Sequence, residues 1–183
     1  MEQRYDLSGS LLHWYDYNKR ILPWRENKDP YRIWISEIML QQTRVEAVKP
    51  YFDRFMEVLP TVYDLAKVDD DRLMKLWEGL GYYNRARNLK AAAQTIVEEY
   101  GGQLPADYDK LLSLKGIGMY TAGAIGSIAF ELQVPAVDGN VLRVLTRLWG
   151  DDSDILKDKT KKAMGRRAVS YTHLRAHETS LHL

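Results

Sequence analysis

The chain has 183 residues, 45 % of them hydrophobic and 28 % charged, with a formal net charge of +1. This length suits one medium domain or two small lobes. No apolar run is long enough to cross a membrane, no secretion signal opens the chain, and the absence of cysteine excludes disulfides and thiolate metal sites. Because the net charge is near zero, contact with DNA would have to come from local patches.

The pattern of apolar residues predicts helices throughout, and no pair of strands bounded by a hairpin turn is apparent. In chain order the predicted helices cover residues 7–21, 31–48, 50–59, 61–65, 69–77, 84–100, 107–114, 119–130, 138–149 and 157–167. Pro and Gly mark the breaks: Pro50 is predicted to start a helix, and Gly101 and Gly102 to end one. The fold class is therefore all-α.

Glu37 lies within the most apolar stretch of the chain, residues 31–40. A helix that is apolar on nearly every face removes the carboxylate from water, and desolvation raises a carboxyl pKa. A carboxyl with a raised pKa is a proton donor near neutral pH. The alternative is a glutamate that reaches solvent from the edge of its helix.

A second feature is the string Leu112 to Ala122, in which two helices meet at the turn Lys115-Gly-Ile-Gly118. Glycine permits positive φ and close approach of a ligand, and the start of the second helix offers free N–H groups that suit a phosphate. An ordinary helical hairpin is the alternative. The whole string resembles a helix-hairpin-helix element, which grips the DNA backbone without reading its sequence.

Four motifs now stand in order: Ser36-Glu-Ile-Met-Leu-Gln-Gln-Thr43, Gly79-Leu-Gly-Tyr-Tyr-Asn-Arg-Ala-Arg87, the hairpin, and Val134-Pro-Ala-Val-Asp-Gly-Asn-Val141. Together they resemble the MutY-type adenine DNA glycosylases of the helix-hairpin-helix glycosylase superfamily, over about residues 11–149. The resemblance implies a six-helix barrel over residues 22–133, with the hairpin at 107–130. Residues 1–21 and 134–167 would form an incomplete second lobe. The implied activity is removal of adenine mispaired with 8-oxoguanine or guanine.

The reaction requires two acidic residues. Adenine leaves deoxyribose readily only when it is protonated, so an acid is needed near the base, and the oxocarbenium-like sugar that remains needs an anion nearby. By resemblance, Glu37 protonates adenine at N7, and Asp138 stabilises the sugar cation with the support of Asn140. From local pattern alone, Asp138 is a helix N-cap. Tyr120 stands where strand-cutting relatives carry a lysine that attacks the sugar, which predicts a glycosylase without efficient lyase activity.

An adenine inside a duplex must be flipped out before it can react. The resemblance assigns Gln42 and Tyr82 as wedge residues, with Leu80 beside them. Further expected pocket or DNA contacts, for which ordinary packing is the alternative, are Gln41, Thr43, Trp24, Arg25, Lys115, Gly116 and Gly118. For the cations Arg85, Arg87 and Lys90, on the helix after the wedge, a solvated face is one interpretation, and no specific phosphate is assigned to them.

The resemblance also implies a [4Fe-4S] cluster and a domain that recognises 8-oxoguanine, yet this chain has no cysteine. Residues 168–183 are expected to be non-native, since 169–179 match a transposase-type sequencing adapter read as codons. That tail argues against a metal site at His173 and His177. We therefore expect a truncated catalytic region of a monomeric, cytoplasmic, nucleoid-associated bacterial enzyme acting on double-stranded DNA. The alternatives are a thymine-mismatch or endonuclease III-like enzyme, or a non-catalytic DNA-binding hairpin.

Overall fold

The computed structural model describes residues 7–171, so the predicted tail from residue 172 on, with His173 and His177, lies outside the described residues. The described residues form ten α-helices and a 3-10 turn, Pro23–Arg25, without a strand, so the predicted all-α class is confirmed. The helices are α1 Leu7–Asn18, α2 Pro30–Leu40, α3 Val45–Val58, α4 Val62–Lys67, α5 Asp70–Trp77, α6 Asn84–Tyr100, α7 Tyr108–Ser113, α8 Met119–Phe130, α9 Gly139–Trp149 and α10 Asp158–Tyr171.

Local caps fix several helix ends where the sequence predicted them. The Asp69 and Asp107 carboxylates accept the backbone N–H of Arg72 and Lys110, at 2.8 and 2.9 Å. Gly101 ends α6 with a φ of 60°. Such caps satisfy backbone groups that the helix itself leaves open, and they act over only three or four residues.

The predicted helix over residues 31–48 is wrong in one respect that matters for the site. The chain leaves helical geometry after Leu40, passes through Gln42 at a φ of 59°, and starts α3 at Val45. Pro50 lies inside α3 rather than at its start. The break turns Gln42 to the surface, where it is exposed.

The main hydrophobic core is built from residues between Leu22 and Ile128, and its largest fully buried side chains include Trp24, Trp34 and Trp77. α2 packs against α3 and α8, α4 against α6, and α7 against α8. Eight consecutive residues of α8, 121–128, are buried, so the centre of this helix lies in the core. The buried residues of α9 and α10 lie outside this core, and α9 packs against α10.

Candidate active site

Glu37 is held in the core by its helix. Asp29 caps α2 by accepting the Tyr31 N–H at 2.9 Å, and α2 then packs against α3 and α8, which buries most of its surface. The Glu37 residue is only 3 % exposed, so the alternative of a glutamate that reaches solvent is wrong. Burial raises the pKa of the Glu37 carboxyl, and the nearby Arg25 guanidinium opposes that rise.

The Glu37 carboxyl faces Arg25 without being hydrogen bonded to it. The Glu37 Oε1 atom lies 3.6 Å from Arg25 Nη2, beyond hydrogen-bond distance, and within residues 7–171 neither buried atom has a hydrogen-bond partner. The neighbouring Trp24 is fully buried against Phe52, which anchors the 3-10 turn that carries Arg25. Buried polar atoms are rarely left unpaired, and such exceptions often mark functional sites. This carboxyl therefore retains its hydrogen-bonding capacity for a ligand.

Asp138 caps α9, as its local pattern predicts. Its Oδ1 atom accepts the Val141 N–H at 2.8 Å, and its Oδ2 atom accepts the Asn140 side-chain amide at 3.2 Å. Asn140 is itself held, because its Oδ1 atom accepts Arg143 Nη2 at 2.6 Å. Asp138 remains partly exposed, so capping leaves its carboxylate able to meet a ligand.

Helix α8 supports both acidic segments. The α2 helix packs against α8, and Gln41 Nε2 at the end of α2 lies 3.5 Å from Thr121 Oγ1. The chain leading to Asp138 crosses α8 at Gly123, where a side chain would meet the Pro135 carbonyl oxygen at 2.0 Å. Tyr120, the second residue of α8, is half-buried next to Thr121. The elements that carry Glu37 and Asp138 are thus packed on one helix.

The two predicted wedge residues line one surface groove. Gln42 and Tyr82 are exposed, Tyr82 by 65 %, and the groove between their loops has a volume of about 450 Å³. Its walls comprise Gln41, Gln42, Tyr82, Tyr83, Asn84, Arg85 and Asn88. The Leu80 side chain, by contrast, is buried in the core. The half-buried Thr43 donates its hydroxyl to the Gln41 carbonyl at 3.3 Å.

The hairpin turn is exposed at Lys115, Gly116 and Gly118. Gly116 has a φ of 82°, and a Cβ there would lie 2.7 Å from the Asn88 Cβ, so both conformation and space require glycine. Gly118 instead has a φ of −93° and is the N-cap of α8, without a side-chain cap. The first N–H groups of α8 therefore have no capping side chain, a geometry suited to an anion.

The interpretation of Arg85 as part of a solvated face is wrong. Its guanidinium is partly buried and donates to backbone carbonyls on both sides of the groove. No local pattern signals this, since the partners are up to 47 residues away. Of the neighbouring cations, Arg87 is exposed and donates to Asn84, whereas the half-buried Lys90 pairs with Asp70.

The residues of this chain do not fit an iron-sulfur cluster. Such clusters are held by cysteine thiolates, and the chain has none. Within the described part of the chain, no group of three or more His, Asp or Glu residues is placed to hold a metal ion. Across the same residues no helix is both long and apolar enough to cross a membrane.

Sequence comparisons identify close relatives that are named adenine DNA glycosylase. The rat protein is 47 % identical over 154 residues, the human protein 48 % over 155, and that of Buchnera aphidicola subsp. Acyrthosiphon pisum 45 % over 157. These alignments cover 79 %, 80 % and 85 % of this chain. The chain spans only 30 %, 28 % and 45 % of the respective relatives.

Solved structures share the fold over nearly the whole chain. A thermostable thymine-DNA glycosylase matches with a TM-score of 0.85 and 29 % identity, covering 96 % of this chain and 82 % of its own. A trapped endonuclease III–DNA covalent intermediate matches with a TM-score of 0.72 and 27 % identity, covering 92 % and 80 %. The family model for "HhH-GPD superfamily base excision DNA repair protein" matches residues 35–168. The chain therefore belongs to the HhH-GPD superfamily of base excision DNA repair proteins.

Proposed function

We propose that this chain carries the catalytic region of an adenine DNA glycosylase, which hydrolyses the N-glycosidic bond of adenine opposite 8-oxoguanine or guanine. The observation that carries the proposal is the Glu37 carboxyl, buried, with a raised pKa and with one oxygen left unbonded. The adenine-specific relatives support the choice of base, since they are 45–48 % identical, against 27–29 % for the thymine glycosylase and endonuclease III structures.

Glu37 acts first as the general acid. Because burial favours its neutral form, it holds a proton that it can donate to N7 of an extruded adenine. The C1′–N9 bond then breaks, and its electron pair leaves with the neutral base. The resulting Glu37 carboxylate lies beside the Arg25 guanidinium, which stabilises the negative charge. As the general base, it next accepts a proton from the water that adds to C1′.

Asp138 supplies the negative charge that the developing sugar cation needs. Its carboxylate is fixed by the Val141 N–H and the Asn140 amide, so it does not have to reorganise as the charge develops. Asn140 is a positioning residue in this scheme, oriented in turn by Arg143. Electrostatic stabilisation of this kind typically accounts for a large part of catalysis.

Tyr120 makes the reaction a hydrolysis without efficient strand cleavage, because a phenol cannot form the Schiff base that a lyase lysine forms. Borohydride reduction of the protein with its substrate should therefore leave no more adduct than a Tyr120→Phe variant does. A strong covalent protein–DNA adduct in the unmodified chain would contradict this assignment.

Double-stranded DNA is the proposed partner, bound by a monomer in the nucleoid of a bacterial cytoplasm. Gln42 and Tyr82 would enter the duplex at the vacated position, with Gln41 and Thr43 beside them. The hairpin at Lys115 to Gly118 would hold the phosphate backbone. Support comes from the exposure of both wedge residues and of the hairpin turn.

The test is adenine release from a duplex that contains adenine opposite 8-oxoguanine, under single-turnover conditions with protein in excess. Glu37→Gln should lower the rate by about 10²–10⁴-fold, the usual contribution of a general acid, and Asp138→Asn should lower it comparably. Glu57→Gln, at an exposed position of α3, is the matched control and should retain the wild-type rate. Equal rates in all four proteins would remove the catalytic assignment.

Removal of thymine opposite guanine is the second candidate, favoured by the TM-score of 0.85 with the thymine-DNA glycosylase. A duplex with a G:T mispair in the same experiment separates the two. If thymine is released faster than adenine, thymine and not adenine is the substrate. The roles proposed for Glu37 and Asp138 would then have to be derived again for thymine.

A further inference from the structure

The two loops that flank the surface groove are both strained. Gln42 and Tyr82 have φ values of 59° and 49°, a region that non-glycine residues avoid. Within the described residues only Glu131 shares this property among non-glycine residues. Such a conformation is unfavourable for a residue with a side chain and persists only where the surroundings enforce it. Something must therefore hold both loops in place.

Arg85 contacts both loops at once. Its Nη1 atom donates to the carbonyl oxygens of Ile38 and Gln41, at 2.8 and 2.6 Å, at the end of α2. Its Nη2 atom donates to those of Leu80 and Gly81, at 3.0 and 3.2 Å, in the other loop. One planar guanidinium thus caps α2 and fixes the loop before α6, which a single-point cation cannot do equally well.

The environment of Arg85 argues against a plain surface charge. Its guanidinium lies 5.5 Å from the centre of the Trp77 ring and 5.6 Å from that of Tyr82. Within residues 7–171 no carboxylate is paired with it, and its Nη1 and Nη2 donors go to backbone carbonyls, while its Nε atom is buried without a hydrogen-bond partner. Arg87, on the same helix, is exposed and donates to the Asn84 side chain at 3.0 Å.

We propose that Arg85 is a positioning residue that couples the two loops, so that Gln42 and Tyr82 act as one rigid unit. Resting on the proposed function, this unit supports the step in which the target adenine is extruded from the helix. Loss of the Arg85 guanidinium should loosen both loops, although they are separated by about 40 residues in sequence. The same loss should slow reactions that require a base to be extruded.

Amide hydrogen exchange of the free protein tests the coupling independently of activity. Arg85→Gln should speed exchange about tenfold or more in peptides covering both 38–43 and 78–83, with α8 unchanged. Arg87→Gln, the matched control, should change neither loop. Faster exchange in 78–83 alone, or in neither loop, overturns the coupling. Should Arg85→Gln not fold, Arg85→Lys must also loosen both loops, and wild-type exchange in that variant overturns the proposal.

Adenine release from two duplexes tests the role in extrusion. One duplex holds the target adenine in the stack opposite 8-oxoguanine, and the other holds it in a single-base bulge, where less unstacking is needed. Arg85→Gln should slow the stacked substrate by about tenfold or more, while the bulged one changes less than about threefold. Equal slowing of both overturns the role in extrusion. If the wild type releases adenine from neither, the proposed function fails, and the exchange experiment still decides the coupling.

Discussion

Replacing Gly123 by alanine should disable the site without touching either acid. The added Cβ would lie 2.0 Å from the Pro135 carbonyl oxygen and 3.1 Å from the Ala136 Cα. Both are backbone atoms, which cannot rotate away. Ordinary van der Waals contact begins at 3.4 Å, whereas the added Cβ would lie 2.0 Å from the Pro135 oxygen. The crossing segment must therefore move away from α8 by about 1.4 Å. Asp138 follows two residues later and would move with it.

A displacement of this size is large on the scale of catalysis, where a misplacement of about 1 Å can cost about 10²-fold in rate. The single-turnover rate of adenine release from Gly123→Ala should therefore fall by about that factor. Overpacking costs about 1–3 kcal/mol, and alanine returns about 1 kcal/mol of helix propensity. Urea unfolding should accordingly show a loss of stability of at most about 2 kcal/mol.

Gly126→Ala is the matched control, one turn further along α8. Its Cβ would lie 3.1 Å from Val134 Cγ2 and 3.3 Å from Leu132 Cδ1, both side-chain methyl groups that can turn aside. This variant should stay within about threefold of the wild-type rate, since its new contacts do not displace backbone. If Gly123→Ala releases adenine as fast as Gly126→Ala, the packing of residues 135–136 on α8 does not hold Asp138 in position.

Three further predictions follow from the site. Burial raises the pKa of Glu37 above its ordinary 4.5, so from that pH upward the folded protein binds more protons than the unfolded one and loses stability as the pH rises through the folded pKa. Glu37→Gln lacks this loss, so in urea unfolding its stability relative to wild type should increase from pH 4.5 upward; a constant difference would contradict the burial argument. Asp138→Ala should lose about 1 kcal/mol of capping energy, whereas Asp138→Asn keeps the cap; both should lose adenine release, and an active Asn variant would reduce Asp138 to a cap. Gln42→Gly should raise the melting temperature, because glycine relieves a φ of 59°, while slowing adenine release from stacked DNA; unchanged stability would mean that the loop is not strained.

Features that depend on residues close together in sequence could be predicted without the structure. The all-α class follows from apolar spacing, and the caps at Asp69, Asp107 and Asp138 use carboxylates that reach only three residues along the chain. The burial of Glu37 could also be predicted, because its own neighbours on α2 are apolar on nearly every face. In each case the residues that determine the feature stand close together in sequence.

The end of α2 could not be read in this way. The sequence pattern continued the helix to residue 48, but Arg85, 44 residues beyond Gln41, donates to the carbonyls of Ile38, Met39 and Gln41 where the helix ends. Likewise, the position of the Arg25 guanidinium near the Glu37 carboxyl, beyond hydrogen-bond distance, depends on how Trp24 anchors the 3-10 turn in the core. The crossing of Pro135 over Gly123 depends on the packing of the segment before α9 on α8.

The sequence by itself thus determined which segments are helical, where most of them begin and end, and which acid is deprived of water. Only the tertiary structure decided which groups from distant segments meet around that acid and along the groove. The physical reason is range: propensity, capping and apolar periodicity act within a few residues, whereas a hydrogen bond between distant segments exists only after the core has packed.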